Sequence, residues 1–179
     1  MSNKIGRMAI LALTAAIIPA CGNGPQNSSA PQAESANTFA DKDIETFPNE
    51  GQEHVPVGTV IVYQTDPPTS GPHYPDPEPG GFYTQEIAAG FLVHSMEHGA
   101  VIIYYSPAVT ADQLAHLQDL ANQHPGIFAQ VVVVPRNDAT YPIILTAWTH
   151  RLRLTTYDAS RIDGFLTLFL NKGPEQQPM

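Results

Sequence analysis

Past residue 100 the chain alternates between continuous apolar runs of strand length and amphipathic stretches of helix length. Val101–Tyr105 and Val131–Val134 are continuous apolar runs, which are typical of strands buried on both faces of a sheet. Ile143–Trp148 and Leu152–Leu154 predict two more strands that form a hairpin. Nearer the N-terminus, Val60–Tyr63 predicts a first strand. The pattern therefore predicts five strands.

Two helices are predicted between and after these strands. The first begins at Thr110, which has Gln113 three residues later as a capping box, and it ends at His124–Gly126. The second begins at the N-cap residue Asp158 and ends at Gly173. Both have apolar residues at helical spacing, namely Leu114, Leu117, Leu120 and Ala121, then Ile162, Phe165, Leu166 and Phe169. We therefore expect each helix to bury one face against the sheet.

The order of these elements predicts the fold class. A strand–helix–strand crossover beside a hairpin and a covering helix implies a mixed β-sheet with two packed helices, in the α/β or α+β class. A thioredoxin-like arrangement fits this order, but the chain has no Cys-x-x-Cys for redox chemistry. Asp66–Gly81 is rich in proline, which fixes φ and removes backbone donors, so it predicts a long, rigid loop.

Residues 1–20 are interpreted as a bacterial lipoprotein signal peptide. Lys4 and Arg7 form a charged n-region, Met8–Ile18 is an apolar h-region, and Ile18–Cys21 is a cleavage box. An apolar run this short does not span a bilayer as a mature helix. We expect Cys21 to be the lipidated first residue of an exported chain, anchored to a membrane and facing the periplasm or the cell exterior.

Composition separates a tether from a domain. Residues 21–46 are rich in Gly, Pro, Asn, Ser, Gln and Ala, which predicts a flexible tether, and residues 47–179 are long enough for a single globular domain. Cys21 is the only cysteine, so no disulfide can form within the chain. Without Lys4 and Arg7 the chain has 6 basic and 17 acidic residues, a formal charge of −11. We therefore expect that the protein does not bind nucleic acid. The partners that we expect are the membrane, through Cys21, and an unidentified protein.

Four histidines lie in the central segment. His54 and His73 are in loops, and His94 and His98 belong to the string Val93-His94-Ser95-Met96-Glu97-His98-Gly99. Neutral imidazole is the commonest metal ligand in proteins. This cluster is the one place where the sequence indicates chemistry.

Two motifs give the chain a family resemblance. Asp66–Tyr74, which lacks the asparagine of the family motif, and Leu92–Gly99, followed later by Ala147-Trp148, resemble the bacterial family called domain of unknown function 3105. The resemblance covers about residues 54–174. It implies exported or membrane-anchored bacterial proteins, and it places the motif histidines at His73, His94 and His98, to which we add His54.

The first interpretation of the cluster is a zinc metallopeptidase. His94-Ser95-Met96-Glu97-His98 matches the His-x-x-Glu-His arrangement, in which a helix places two zinc ligands at i and i+4 with a glutamate base beside them. Gly90 and Gly99 leave room for at most two helical turns. We therefore rank this interpretation last and expect no catalytic residues here.

The second interpretation is a bound transition metal, held by His73, His94 and His98 and completed by His54, Met96 or Glu97. In an extended segment, His94, Met96 and His98 would share one face and Glu97 would point away. Imidazole with a thioether suits copper, whereas imidazole with Glu97 suits zinc. Copper ranks slightly ahead on ligand softness, and transition-metal binding is the function that we predict from the sequence.

The third interpretation is structural. His73 would hydrogen-bond the backbone of the Pro-rich loop, and Glu97 would pair with a histidine to satisfy buried polar groups. The chain would then be a non-catalytic interaction lipoprotein that acts through exposed loop residues.

Overall fold

The computed structural model describes residues 42–175, so Cys21, the signal peptide and the tether up to residue 41 lie outside the described residues. The described part contains a six-stranded sheet and three helices. No helix within residues 42–175 is long and apolar enough to cross a membrane. The elements are β1 (Glu45–Thr46), β2 (Gly81–Phe82), α1 (Ala89–Glu97), β3 (Val101–Tyr105), α2 (Ala111–Gln123), β4 (Val131–Pro135), β5 (Ile143–Ala147), β6 (His150–Leu154) and α3 (Ala159–Phe169).

The sheet is mixed, with strand order β1-β6-β5-β3-β4-β2. β3 pairs in parallel with β4, with Val101 opposite Val131, and α2 makes the crossover between them. β5 pairs antiparallel with both β3 and β6, so β5 and β6 form the expected hairpin. The predicted mixed sheet is confirmed, and the fold is α+β.

Both faces of the sheet are buried, which explains why its central strands are apolar throughout. Successive side chains of a strand point to opposite faces, so Val101 and Ile103 pack with α2 and α3 while Ile102 and Tyr104 pack with α1. Leu117 and Phe165 anchor α2 and α3 to the first face. The helices therefore cover the sheet on both sides, and α1 is alone on the second face with the Pro-rich loop.

The two predicted helices form where their caps indicate. Thr110 and Gln113 make the predicted capping box, and the Asp158 side chain accepts a hydrogen bond from the Arg161 N–H. The predicted stop at Gly173 is wrong, because α3 ends at Phe169 and Asn171 takes the left-handed conformation with φ 60°. Asparagine tolerates this conformation better than most residues.

Two elements differ from the sequence prediction. Val60–Tyr63 forms no strand, and Val60 and Val62 are exposed, because no neighbouring strand pairs with this segment within residues 42–175. α1 was not predicted, since Ala88 at its N-cap makes no side-chain capping bond and its sequence therefore carries no start signal. The segment that holds His94 is thus helical and not extended.

The sheet begins two residues before the predicted domain start at residue 47. Glu45 and Thr46 pair with Arg151 and His150 of β6. The Glu45 carboxylate binds Arg151 at 2.9 Å and Arg153 at 3.0 Å, and the Arg151 hydrogen bond holds the pKa of Glu45 below its ordinary range. Glu45 and Thr46 therefore belong to the sheet.

Candidate metal centre

α1 supplies two side chains of the candidate centre from one helical face. His94 and Glu97 are three residues apart, so both project from the same side of the helix, and both are buried. Met96 projects from the opposite side and is fully buried in the apolar cluster that packs α1 on the sheet. The helix therefore separates Met96 from the histidines, and the shared face expected for an extended segment does not form.

Backbone pairing between two loops brings the other two histidines together. The His73 N–H donates to the Glu53 carbonyl at 2.9 Å, and the Val55 N–H donates to the His73 carbonyl at 2.8 Å. These bonds make a short parallel bridge between His54 and His73. The rigid Pro-rich loop thus places His73 next to α1, and the preceding loop is held beside it.

The three imidazole rings form a nearly equilateral triangle. The ring centroids of His54 and His73 are 4.8 Å apart, and each lies 4.9 Å from that of His94. His54, His73, His94 and Glu97 each offer one ligand atom, and these four atoms all lie within 4.8 Å of one another. Four donors from three chain segments therefore converge on one point.

Backbone carbonyls orient the two buried rings. His73 Nδ1 lies 2.8 Å from the Gly71 carbonyl oxygen, and His94 Nδ1 lies 2.7 Å from that of Tyr74. A carbonyl oxygen can only accept, so each Nδ1 carries the hydrogen. In the neutral rings, Nε2 then presents its lone pair to the centre. Histidines that ligate metals are held by this same kind of second hydrogen bond.

Glu97 is enclosed by polar partners. Its Oε2 lies 3.0 Å from His73 Nε2 and 3.8 Å from His54 Nε2, and its Oε1 accepts a hydrogen bond from Gln52 Nε2 at 3.0 Å. Its side chain is only 4% exposed, against 49% for His54. The carboxylate is therefore buried among imidazoles, with His54 on the solvent side.

Burial controls the charge of His94. Loss of hydration lowers its pKa below 6.5, and the neighbouring His73, His98 and His54 lower it further, against the opposing hydrogen bond to the Tyr74 carbonyl. His94 is therefore neutral at pH 7, which is the form that binds metals.

The comparisons with known proteins give a family and no activity. Residues 54–179 match the family described as Protein of unknown function (DUF3105). The chain belongs to this family. The predicted resemblance is thereby confirmed, and the matched residues include all four donors that converge. Neither a curated protein nor a solved structure matches the chain.

In this family member a glycine allows the close approach of the Pro-rich loop to α1. A Cβ on Gly90 would lie 2.7 Å from the ring of Tyr74, so any other residue would push that ring away. The Tyr74 N–H donates to the Gly90 carbonyl at 3.2 Å. Gly90 therefore helps to place the carbonyl that orients His94.

His98 lies beside the four-donor cluster. It is the C-cap of α1 and partly exposed, and its Nε2 is 2.8 Å from His94 Nε2. It also belongs to a second group of convergent donors, with Glu97 and Glu175.

Of the sequence candidates, the structure brings His54, His73, His94 and Glu97 together, places His98 next to them and leaves Met96 in the core. Gln52 and Glu175 are not among the candidates that the sequence indicates. The sequence carries no signal for either residue, because an isolated glutamine or glutamate on a polar segment fits a solvated surface.

Proposed function

We propose that this protein binds a divalent transition-metal ion through His54, His73, His94 and Glu97. The observation that carries the proposal is the orientation of His73 and His94, whose Nδ1 hydrogens are used by backbone carbonyls. Their Nε2 atoms then face a carboxylate and two further imidazoles in a largely buried site. A structural role predicts the bond from His73 to the loop backbone and its pairing with Glu97. It does not predict that His54 and His94 converge on the same point.

The donor set indicates the class of metal. Three imidazoles and one carboxylate suit Zn²⁺ or Cu²⁺, whereas Cu⁺ prefers soft sulfur ligands. The thioether of Met96 is the soft ligand that would favour copper over zinc, and it lies in the core away from the histidines. A tetrahedral zinc site with bonds of 2.0–2.1 Å has its ligand atoms about 3.3 Å apart. The two His–Glu97 separations, 3.0 Å for His73 and 3.8 Å for His54, lie on either side of this value, and all four ligand atoms lie within 4.8 Å of one another.

Calorimetric titration of the purified full-length protein with Zn²⁺ and Cu²⁺ tests the proposal. We expect tight binding in the wild type, a loss of at least about tenfold in affinity in His73→Ala and His94→Ala, and no change in His116→Ala. His116 is a matched control, since it bonds Tyr157 and belongs to neither donor group. Absence of binding to the wild type would favour the interaction lipoprotein with structural histidines.

We also propose that the protein is exported and attached to a membrane by lipid on Cys21. The charged n-region, the short apolar segment and Cys21 at the end of the cleavage box support this proposal. Stable attachment needs two or more acyl chains, so Cys21→Ser is expected to move the protein from the membrane fraction to the soluble fraction of its host. Retention of the variant in the membrane fraction would contradict the proposal.

The peptidase interpretation has one observation in its favour. His94 and Glu97 do lie on a helix, with His98 at its C-cap, which is the context that the motif requires. A peptidase would keep its zinc in Glu97→Gln and lose hydrolysis, whereas the proposed site loses affinity for the metal. Metal content and peptide cleavage, measured together on this variant, separate the two functions.

A further inference from the structure

Three polar side chains meet at the C-terminal end of α1, beside the four-donor cluster, with which they share Glu97. Glu97 is the last residue of the helix, His98 is its C-cap, and Glu175 comes from the segment that follows α3. One ligand atom from each of the three lies within 4.8 Å of the others. None of the four-donor site's histidines belongs to this second group.

Specific backbone contacts place Glu175 here. The Glu175 N–H donates to the Glu97 carbonyl at 3.1 Å, and the Asn171 N–H donates to the Gly99 carbonyl at 2.8 Å. A Cβ on Gly173 would overlap the carbonyl oxygen of Glu97, so only glycine lets the segment pass this close. The segment after α3 is therefore fixed against the end of α1.

His98 connects this group to the inner cluster. Its Nε2 lies 2.8 Å from His94 Nε2, and its Nδ1 lies 3.4 Å from the Glu175 carbonyl oxygen. Its ring packs edge-on against Phe128 with a centroid distance of 4.8 Å, so the imidazole is held between the two groups. The His98 ring is therefore held in place by its neighbours and does not rotate freely as a surface side chain would. A fixed imidazole of this kind is suited to ligate a metal ion.

We propose that Glu97, His98 and Glu175 hold a second divalent metal ion, with the Glu97 carboxylate bridging it to the first. This inference rests on the proposed function, because Glu97 is shared by the two sites. The two ions of two-metal sites in proteins are about 3.5–4 Å apart, and the two donor groups here have the Glu97 carboxylate in common. One histidine and two carboxylates suit Zn²⁺ and Mn²⁺.

The two proposed metal sites differ in exposure to solvent; the four-donor site holds the inner ion, and the site of Glu97, His98 and Glu175 holds the outer ion. His73, His94 and Glu97 are buried around the inner ion, whereas Glu175 is exposed and His98 partly exposed around the outer one. The outer ion also has fewer protein donors. It is therefore the ion that exchanges with solvent, and the inner ion is the one that is retained.

Native mass spectrometry of the full-length protein with Zn²⁺ measures the number of bound ions. We expect two ions in the wild type, and one in Glu175→Gln and in His98→Ala. Glu86→Gln is the matched control, because Glu86 is an exposed glutamate outside both groups, and it is expected to keep two. With a chelator, the wild type is expected to lose one ion faster than the other.

Each other outcome is decisive. One ion in the wild type, unaffected by Glu175→Gln, overturns the second site and leaves the first. Two ions in all variants also overturn it, because the second ion would then be bound elsewhere. No ion in the wild type overturns the proposed function and the inference with it.

Discussion

His73 Nε2 lies 3.0 Å from Glu97 Oε2, and both side chains are buried. The Nδ1 hydrogen of His73 is already donated to the Gly71 carbonyl, so a neutral His73 would direct a lone pair at a carboxylate oxygen. Two acceptors at this distance repel unless a proton or a metal ion lies between them. The proposed metal ion would lie between these two atoms and remove their repulsion.

Glu97→Gln separates the two roles of this carboxylate. The glutamine amide can donate to His73 Nε2, so we expect the metal-free variant to melt within a few degrees of the wild type. The charged ligand is lost, so affinity for Zn²⁺ is expected to fall at least about tenfold. Differential scanning calorimetry and calorimetric titration measure the two effects. Unchanged affinity would show that Glu97 is not a ligand.

Acid is expected to destabilise the metal-free protein through His94. Its folded-state pKa is lowered by burial, so the unfolded chain binds a proton near pH 6.5 while the folded chain does not. Stability therefore falls as pH drops below about 6.5, at no more than about 1.4 kcal/mol per pH unit for one proton. The plot of Tm against pH between pH 8 and pH 5 should be flatter in His94→Gln than in the wild type. In His116→Gln it should keep the wild-type slope. Equal slopes in all three proteins would exclude His94 as the cause.

Gly90→Ala tests the contact that orients His94. The new methyl group would meet the Tyr74 ring at 2.7 Å, and overpacking of this kind costs about 1–3 kcal/mol. Displacement of Tyr74 also moves its carbonyl from His94, so metal affinity should fall with stability. Gly81→Ala is the control, since its Cβ meets only ordinary contacts at 3.5 Å. Denaturant unfolding and metal titration of both variants check the prediction, and similar behaviour would contradict it.

The ion pair between β1 and β6 gives a stability effect that is also lost in acid, but at a lower pH than that of His94. Arg151 holds the pKa of Glu45 below its ordinary value of 4.5, so this stabilisation is complete above that pH and is lost as pH falls through the lower, folded-state pKa. Glu45→Gln is expected to cost about 1 kcal/mol at pH 7. The difference from the wild type should vanish in acid. Urea unfolding at pH 7 and pH 3 measures it, and a constant difference would rule out the ion pair.

The central sheet could be predicted from the sequence because its strands are buried on both faces. Val101–Tyr105 and Val131–Pro135 are apolar at every inward position, and Thr110 caps α2 with an unambiguous signal. Val60–Tyr63 has the same local composition and forms no strand. Local sequence does not reveal whether a β-branched segment finds a partner strand.

The sequence predicts that the four histidines form a cluster. Which side chains converge in that cluster could be determined only from the tertiary structure. The helix α1 has no capping residue, and only its helical geometry places Glu97 with the histidines and Met96 in the core. Glu175 lies 78 residues after Glu97 in the chain, and its N–H donates to the Glu97 carbonyl. The close approach of Gly173 to that carbonyl makes this contact possible, and no local sequence pattern predicts it. Long-range backbone contacts therefore decided which candidates belong to the site.

Metal-dependent melting of the full-length protein tests the central claim most directly. At a free metal concentration 100 times the dissociation constant, binding adds about 2.7 kcal/mol to the free energy of unfolding, which raises the Tm by several degrees. We expect Zn²⁺ or Cu²⁺ to raise the wild-type Tm by this amount, to leave His73→Ala and His94→Ala unchanged, and to raise the Tm of His116→Ala and His150→Ala as in the wild type. If neither metal shifts the wild type, or if all four variants respond alike, the histidine cluster is not a metal site.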